Sequence, residues 1–148
     1  MPIMDSELLL CEAQSIAGVA TTTTVSTNVI DTGALVDHKN ASLQQSIMSG
    51  KMCWNCVVED ENMLAAVDGS VVTFRLFDDS DTTPTTGGRQ ILEFAVTENT
   101  PTEHPDGTKL FSLPLPAMPL SRYLGMSTNI ATQDLSTGKV SAWIGPAI

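Results

Sequence analysis

Val71-Val72-Thr73-Phe74-Arg75-Leu76-Phe77 is the stretch that decides the class of this fold. In an extended chain, Val72, Phe74 and Leu76 share one side and Thr73 and Arg75 take the other. β-Branched and aromatic residues fill it. The spacing predicts a half-buried strand. Turn chemistry brackets it, with Val67-Asp68-Gly69-Ser70 before and the polar run Asp78 to Gly88 after.

Further segments follow the same grammar. Met52 to Glu59 alternates, with Met52, Trp54, Cys56 and Val58 on one side. Gln90 to Thr97 is a strand by composition, Lys109 to Leu113 is a short one, and Ser121 to Ile130 and Lys139 to Ile144 close the chain. Asp106-Gly107 and Ser136-Thr137-Gly138 mark turns. Nearer the start, Thr21 to Thr24 lead into Val25-Ser26-Thr27-Asn28-Val29-Ile30. Glu7 to Ala13 reads as a strand or as a short helix capped by Ser6. The count is about eight short strands punctuated by turns, the rhythm of an antiparallel sandwich or barrel. Their order stays open. Ala34 to Lys51 is the least legible segment, a long loop or a helical turn over Leu43, Ile47 and Met48.

At 148 residues the chain suits one domain. Residues 1–13 read as an N-terminal arm or first edge element, and residues 14–148 as the β-sandwich. No apolar run approaches the roughly 18 residues of a membrane span. The start lacks the basic region of a signal peptide, so a cytoplasmic site of synthesis and assembly is expected. Seven Lys and Arg against 17 Asp and Glu give a net charge of −10. The cations are scattered singly, which argues against direct binding of nucleic acid or of an anionic membrane. A protein partner fits best.

Candidate chemistry is thin. Cys53-Trp54-Asn55-Cys56 matches C-x-x-C but lies in a strand, where an offset of three sends the sulfurs to opposite faces. Redox or zinc work needs them together. Buried or half-buried structural cysteines are the expectation. Asp78, Asp79 and Asp81 lack the other ligands of a calcium loop, so a solvated, mobile tip is expected for Asp78 to Gly88. His38 and His104 stand apart, with no nucleophile motif near them. No enzyme, cofactor or metal is expected. Leu113 to Leu120, with Pro114, Pro116 and Pro119, reads as a rigid extended crossover. It and the first dozen residues are the candidate partner surfaces. The residues singled out are Ile3, Met4, Leu8 and Leu9 on the arm, and Leu115, Met118, Leu120 and Tyr123 on the crossover side.

Three stretches carry a resemblance. They are Val25-Ser26-Thr27-Asn28-Val29-Ile30-Asp31-Thr32-Gly33-Ala34, then Leu113-Pro114 running to Leu120-Ser121-Arg122-Tyr123-Leu124-Gly125-Met126, and the closing Ser136-Thr137-Gly138-Lys139-Val140-Ser141-Ala142-Trp143-Ile144. Together they resemble the capsid cement, or decoration, proteins of short-tailed bacteriophages. The resemblance implies a jelly-roll-like β-sandwich on the outside of an icosahedral head, pairing as a homodimer and bridging subunits of the major capsid protein. It implies no catalytic residues. The alternative is a jelly-roll carbohydrate- or receptor-binding module, which would display aromatics for stacking.

Overall fold

In a computed structural model, residues 8–32, 52–101 and 103–148 are described. Among them are eleven strands: β1 (Leu9–Ser15), β2 (Thr23–Val25), β3 (Ile30–Asp31), β4 (Cys53–Val58), β5 (Leu64–Ala65), β6 (Ser70–Asp79), β7 (Arg89–Glu98), β8 (Lys109–Pro114), β9 (Tyr123–Ala131), β10 (Leu135–Thr137) and β11 (Lys139–Gly145). The all-β antiparallel sandwich is as the alternation predicts. The strand count is higher than eight for two reasons. The second strand is split into β2 and β3, and loop residues add the small β5–β10 ladder.

The first sheet runs β1-β11-β4-β8, and the second runs β2-β9-β6-β7 with β3 also on β9. Every ladder is antiparallel. With β2 and β3 taken as one, the chain crosses between sheets at each step except the β6–β7 hairpin. That is the double Greek key of a jelly roll.

The split of the second strand has a local cause. Val25 faces Ser127 and Ile30 faces Leu124, so four residues on one side span two on the other. At the break the Ser26 N–H donates to the Met126 carbonyl at 2.8 Å, and the Asn28 N–H leaves the sheet for the Leu10 carbonyl at 2.9 Å. The chain therefore stitches the second sheet to β1 of the first.

The core lies between the sheets. Val72, Phe74 and Leu76 are fully buried on β6, the face their alternation predicts. Phe111 is the hub: its ring meets Trp54 edge-on at 4.5 Å and Phe74 at 5.4 Å, and Phe94 lies tilted at 4.8 Å. Trp54 and Phe111 come from the first sheet, Phe74 and Phe94 from the second. Each such pair adds about 0.5–1.5 kcal/mol beyond simple burial.

Asp78 to Gly88 is not a free tip. β6 continues through Asp79, and Asp78 is buried. Pro84–Gly87 forms one helical turn whose Pro84 is buried. Gly125 on β9 makes room for it, since a Cβ there would lie 2.7 Å from Pro84 Cγ. The loop is polar in composition, yet one proline and one carboxylate anchor it.

At the opposite end, the loops are tied together. β5 pairs with β10, Gly18 bridges Leu135, and Met63 bridges His104. All four inter-sheet connections at that end thus share backbone hydrogen bonds.

The crossover after β8 runs from the edge of the first sheet to the second, as its prolines suggest. Residues 1–7 and 33–51 lie outside the described residues. These include Ile3, Met4, the possible Ser6 cap, His38 and the proposed turn over Leu43, Ile47 and Met48. From Leu9 onward the N-terminal segment is an edge strand, which crosses the expected boundary between residues 13 and 14.

Candidate functional site

The C-x-x-C pair behaves as strand geometry demands. Cys56 lies in the transverse row Cys11–Ala142–Cys56–Phe111 on the inner face, and Cys53 points to the outer face. All three thiols are free and buried. Burial pushes Cys11 up to about 12, against the opposing pull of a backbone hydrogen bond from Ala142. Burial also raises Cys56 well above the ordinary thiol range, and the neighbouring Cys11 adds to it. Such thiols are poor nucleophiles and poor ligands.

The acidic loop is equally committed. Asp78 takes two hydrogen bonds from Arg89, at 3.0 and 2.7 Å, and one from the Ser121 N–H at 2.7 Å. Burial raises its pKa, but the Arg89 and Ser121 hydrogen bonds and the Arg89 charge outweigh burial and hold the carboxyl below its usual range. Arg122 and Asp31 form a second bidentate pair, at 2.8 and 2.9 Å.

His104 binds the buried carboxylate of Glu98 through Nδ1. Glu98 also accepts the Glu103 N–H at 2.9 Å. This pair organises the connection between β7 and β8. Among the described residues, no three His, Cys, Asp or Glu side chains converge as metal ligands. None of the helices described is long and apolar enough to cross a membrane.

The structure sorts the expected contact residues. Leu115 and Leu120 are buried in the core, 2% and 4% exposed, and so do not present a contact surface. The crossover is not extended throughout as expected: it bends at Ala117 and Met118, where the Met118 N–H donates to the Pro116 carbonyl at 2.9 Å, and the leucines on either side of the bend turn inward. Met118 and Tyr123 are half-buried, as are Leu8 and Leu9 at the first edge.

Two surfaces emerge that the sequence reading missed. The first is the flank where β7 and β8, each the last strand of its sheet, lie on the same side of the sandwich. There Ile91, Leu92, Phe94 and Val96 of β7, with Leu110 and Leu113 of β8, pack on the core but stay half-exposed. Met118 lies in the crossover that Arg89 touches, through a 3.3 Å hydrogen bond to the Pro119 carbonyl. The apolar interior reaches the surface here, beside two strand edges with unused backbone groups. Part of the signal was present, since alternation marks Leu92, Phe94, Val96 and Leu113 as inward, whereas Ile91 and Leu110 sit at ladder irregularities that period two does not foresee. Only the strand order reveals that their side of the core is open.

The second is the outer face of the first sheet. Leu9, Trp143, Asn55 and Ser112 form one transverse row there. An outer face should be solvated, yet Asn55 is fully buried and Trp143 is only 6% exposed.

Of the seven aromatic side chains, Trp54, Phe74, Phe111 and Trp143 are buried and Phe77, Phe94 and Tyr123 are half-buried. The arrangement defines a class: an antiparallel jelly-roll sandwich. The chain belongs to the Bbp16 family, whose model matches residues 10–144. The match runs from β1 to β11 and so takes in both sheets. The family's name associates it with bacteriophages. No curated protein matches the chain.

Proposed function

We propose that this protein is a capsid cement, or decoration, protein. It binds the outer surface of the major capsid protein lattice, stabilises the head by bridging neighbouring subunits, and works as a homodimer on the virion exterior after assembly in the host cytoplasm. The observation that carries this reading is the half-exposed apolar strip along the β7–β8 flank. Such a strip beside open strand edges gains from being covered by another protein. Membership of a phage-associated family across the whole jelly roll supports the same reading.

The physics suits the role. A packaged head is loaded from inside, and joints between subunits are where it yields. A stiff sandwich laid over a joint loses little conformational entropy on docking. A standard interface buries roughly 1,600 Å² in total. Two copies joined as one unit hold two sites at once, so modest contacts give strong retention. A net charge of −10 keeps decorated particles apart in solution. The carbohydrate-binding alternative is weakened because none of the seven aromatic side chains is fully exposed.

The test is cosedimentation with expanded, undecorated phage capsids. Saturable binding to the shells is the expected result. Absence of binding to the shells, with saturable binding to a glycan instead, would replace this reading with the sugar-binding one.

A further inference from the structure

Exposed edge strands are commonly guarded by lysine, proline or short length, because their free backbone groups accept another strand. β7 has none of these guards. It runs ten residues, Arg89-Gln90-Ile91-Leu92-Glu93-Phe94-Ala95-Val96-Thr97-Glu98. β6 pairs with one side of it, and among the described residues no strand pairs with the other. Its one ladder irregularity falls near the start, between the Gln90 and Leu92 pairs. From Leu92 to Glu98 the strand is regular. Leu92, Phe94 and Val96 face inward yet stay half-exposed, while Glu93, Ala95 and Thr97 are exposed on the outer face.

Charge narrows what can cover this edge. The chain carries −10, so two copies repel over most of their surfaces. On β7 and β8 the exposed charges are Arg89 and Lys109 against Glu93 alone, and Arg75 of β6 binds Glu93 at 2.8 Å. Glu98 is buried. A second copy therefore meets least repulsion here. The size also suffices. A flank ~30 Å long and ~20 Å across presents on the order of 600 Å². Two such footprints reach the ~1,200 Å² at which specific interfaces begin.

The sequence of β7 is complementary to itself in one register. A strand that meets its own copy across a two-fold axis runs antiparallel to it. Directly opposed residues share a face, so inward residues must meet inward ones. An axis at Glu93 opposes two carboxylates. An axis at Ala95 sets Leu92 against the buried Glu98. An axis at Phe94 opposes the two Phe94 rings, sets Leu92 against Val96, and sets Glu93 against Ala95.

We propose that β7 pairs with β7 of a second copy of this chain, antiparallel, with Phe94 on the two-fold axis. The second sheets of the two copies then form one continuous sheet, and the seam covers Leu92, Phe94 and Val96. The proposal rests on the homodimer of the functional reading and assigns its interface. Joining here gives the bridging unit its two sites.

Cysteine pairs at exposed positions test the register. Glu93→Cys and Ala95→Cys chains are mixed, equilibrated and oxidised with diamide, and cross-linked dimer is read on non-reducing gels. Residue 93 lies opposite residue 95 of the second copy, within disulfide reach. Two copies of residue 93, or of residue 95, stand ~8 Å apart between Cα atoms, beyond that reach. The mixture should therefore cross-link at least about tenfold faster than either variant alone. The native cysteines are buried and do not compete. Sedimentation of the unchanged chain gives the oligomeric state, with a dimer expected. A dimer whose mixture cross-links no faster than the single variants would overturn this interface and leave the homodimer standing. A chain that stays monomeric at millimolar concentration would overturn both. Capsid cosedimentation reads the cement role separately from either result.

Discussion

Asp78 is a carboxylate taken out of water and fully repaired. Its two oxygens are met by Arg89 and the Ser121 N–H. Replacing it by Ala loses these charge-assisted bonds and should cost about 2 kcal/mol at neutral pH, read from urea melts. The pH dependence has a definite sign. A carboxyl whose folded pKa is depressed binds fewer protons folded than unfolded. Its contribution is complete above the unfolded value of ~3.9 and is lost as pH falls through the lower folded value. Between about pH 5 and 2, Asp78→Asn should therefore show a flatter stability profile than the unchanged chain. The sequence held a usable sign of this. Val72, Phe74, Leu76 and Asp78 continue one alternation, so Asp78 was due on the inner side. Its place at the head of an acidic run hid that, because net composition favours a solvated loop. The cysteines were legible for the opposite reason: strand period alone separates Cys53 from Cys56. With Cys11 pushed up to about 12, only about one molecule in 10⁴ carries its thiolate at pH 8. Thiol reagents should label Cys11 and Cys56 only at the rate of unfolding. Rapid labelling of either in the native protein would contradict their burial.

Among elements, the long strands were the readable ones. β6 and β7 are ten residues long each and pair from Ser70 with Glu98 to Asp78 with Arg89. Period two over such a length leaves little ambiguity. Short elements were less readable because distant partners fix them. β5 and β10 exist only through each other, and the break between β2 and β3 depends on carbonyls of Leu10 and Met126. The turn at Pro84 depends on Gly88 for close approach: a Cβ there would lie 2.2 Å from the Pro84 oxygen and 2.6 Å from the Asp78 oxygen. Both are backbone atoms that cannot swing away. Gly88→Ala should cost about 1–3 kcal/mol through forced displacement of the turn, measurable as a lower melting temperature. An unchanged melting temperature would show that the turn is loosely held.

For the molecule as a whole, class was legible and wiring was not. Alternation gives strands and faces, but strand order arises from contacts across the full chain, so eight short strands fit many sandwiches. The jelly-roll expectation came through resemblance, and the sheet orders β1-β11-β4-β8 and β2-β9-β6-β7 agree with it. The half-exposed flank was least legible, because exposure depends on which side of the core the sheets leave open. A charge on the open flank belongs to this scale. Val96→Lys places an ammonium on the β7 edge, where its stem can reach solvent. Capsid binding should fall at least about tenfold while the melting temperature drops by only a few degrees, since edge lysines block strand-edge contacts. Undiminished binding would move the contact to another face.

In the first sheet β1 and β11 lie side by side, with Leu9 opposite Trp143. The strand that opens the double sheet and the strand that closes it therefore leave from the same end. A pull applied to both would part their ladder one rung at a time, like a zipper, and need little force. A push spread over the sheet faces loads every ladder together. The molecule is thus weak to a tug at its two ends and strong under a load across its breadth.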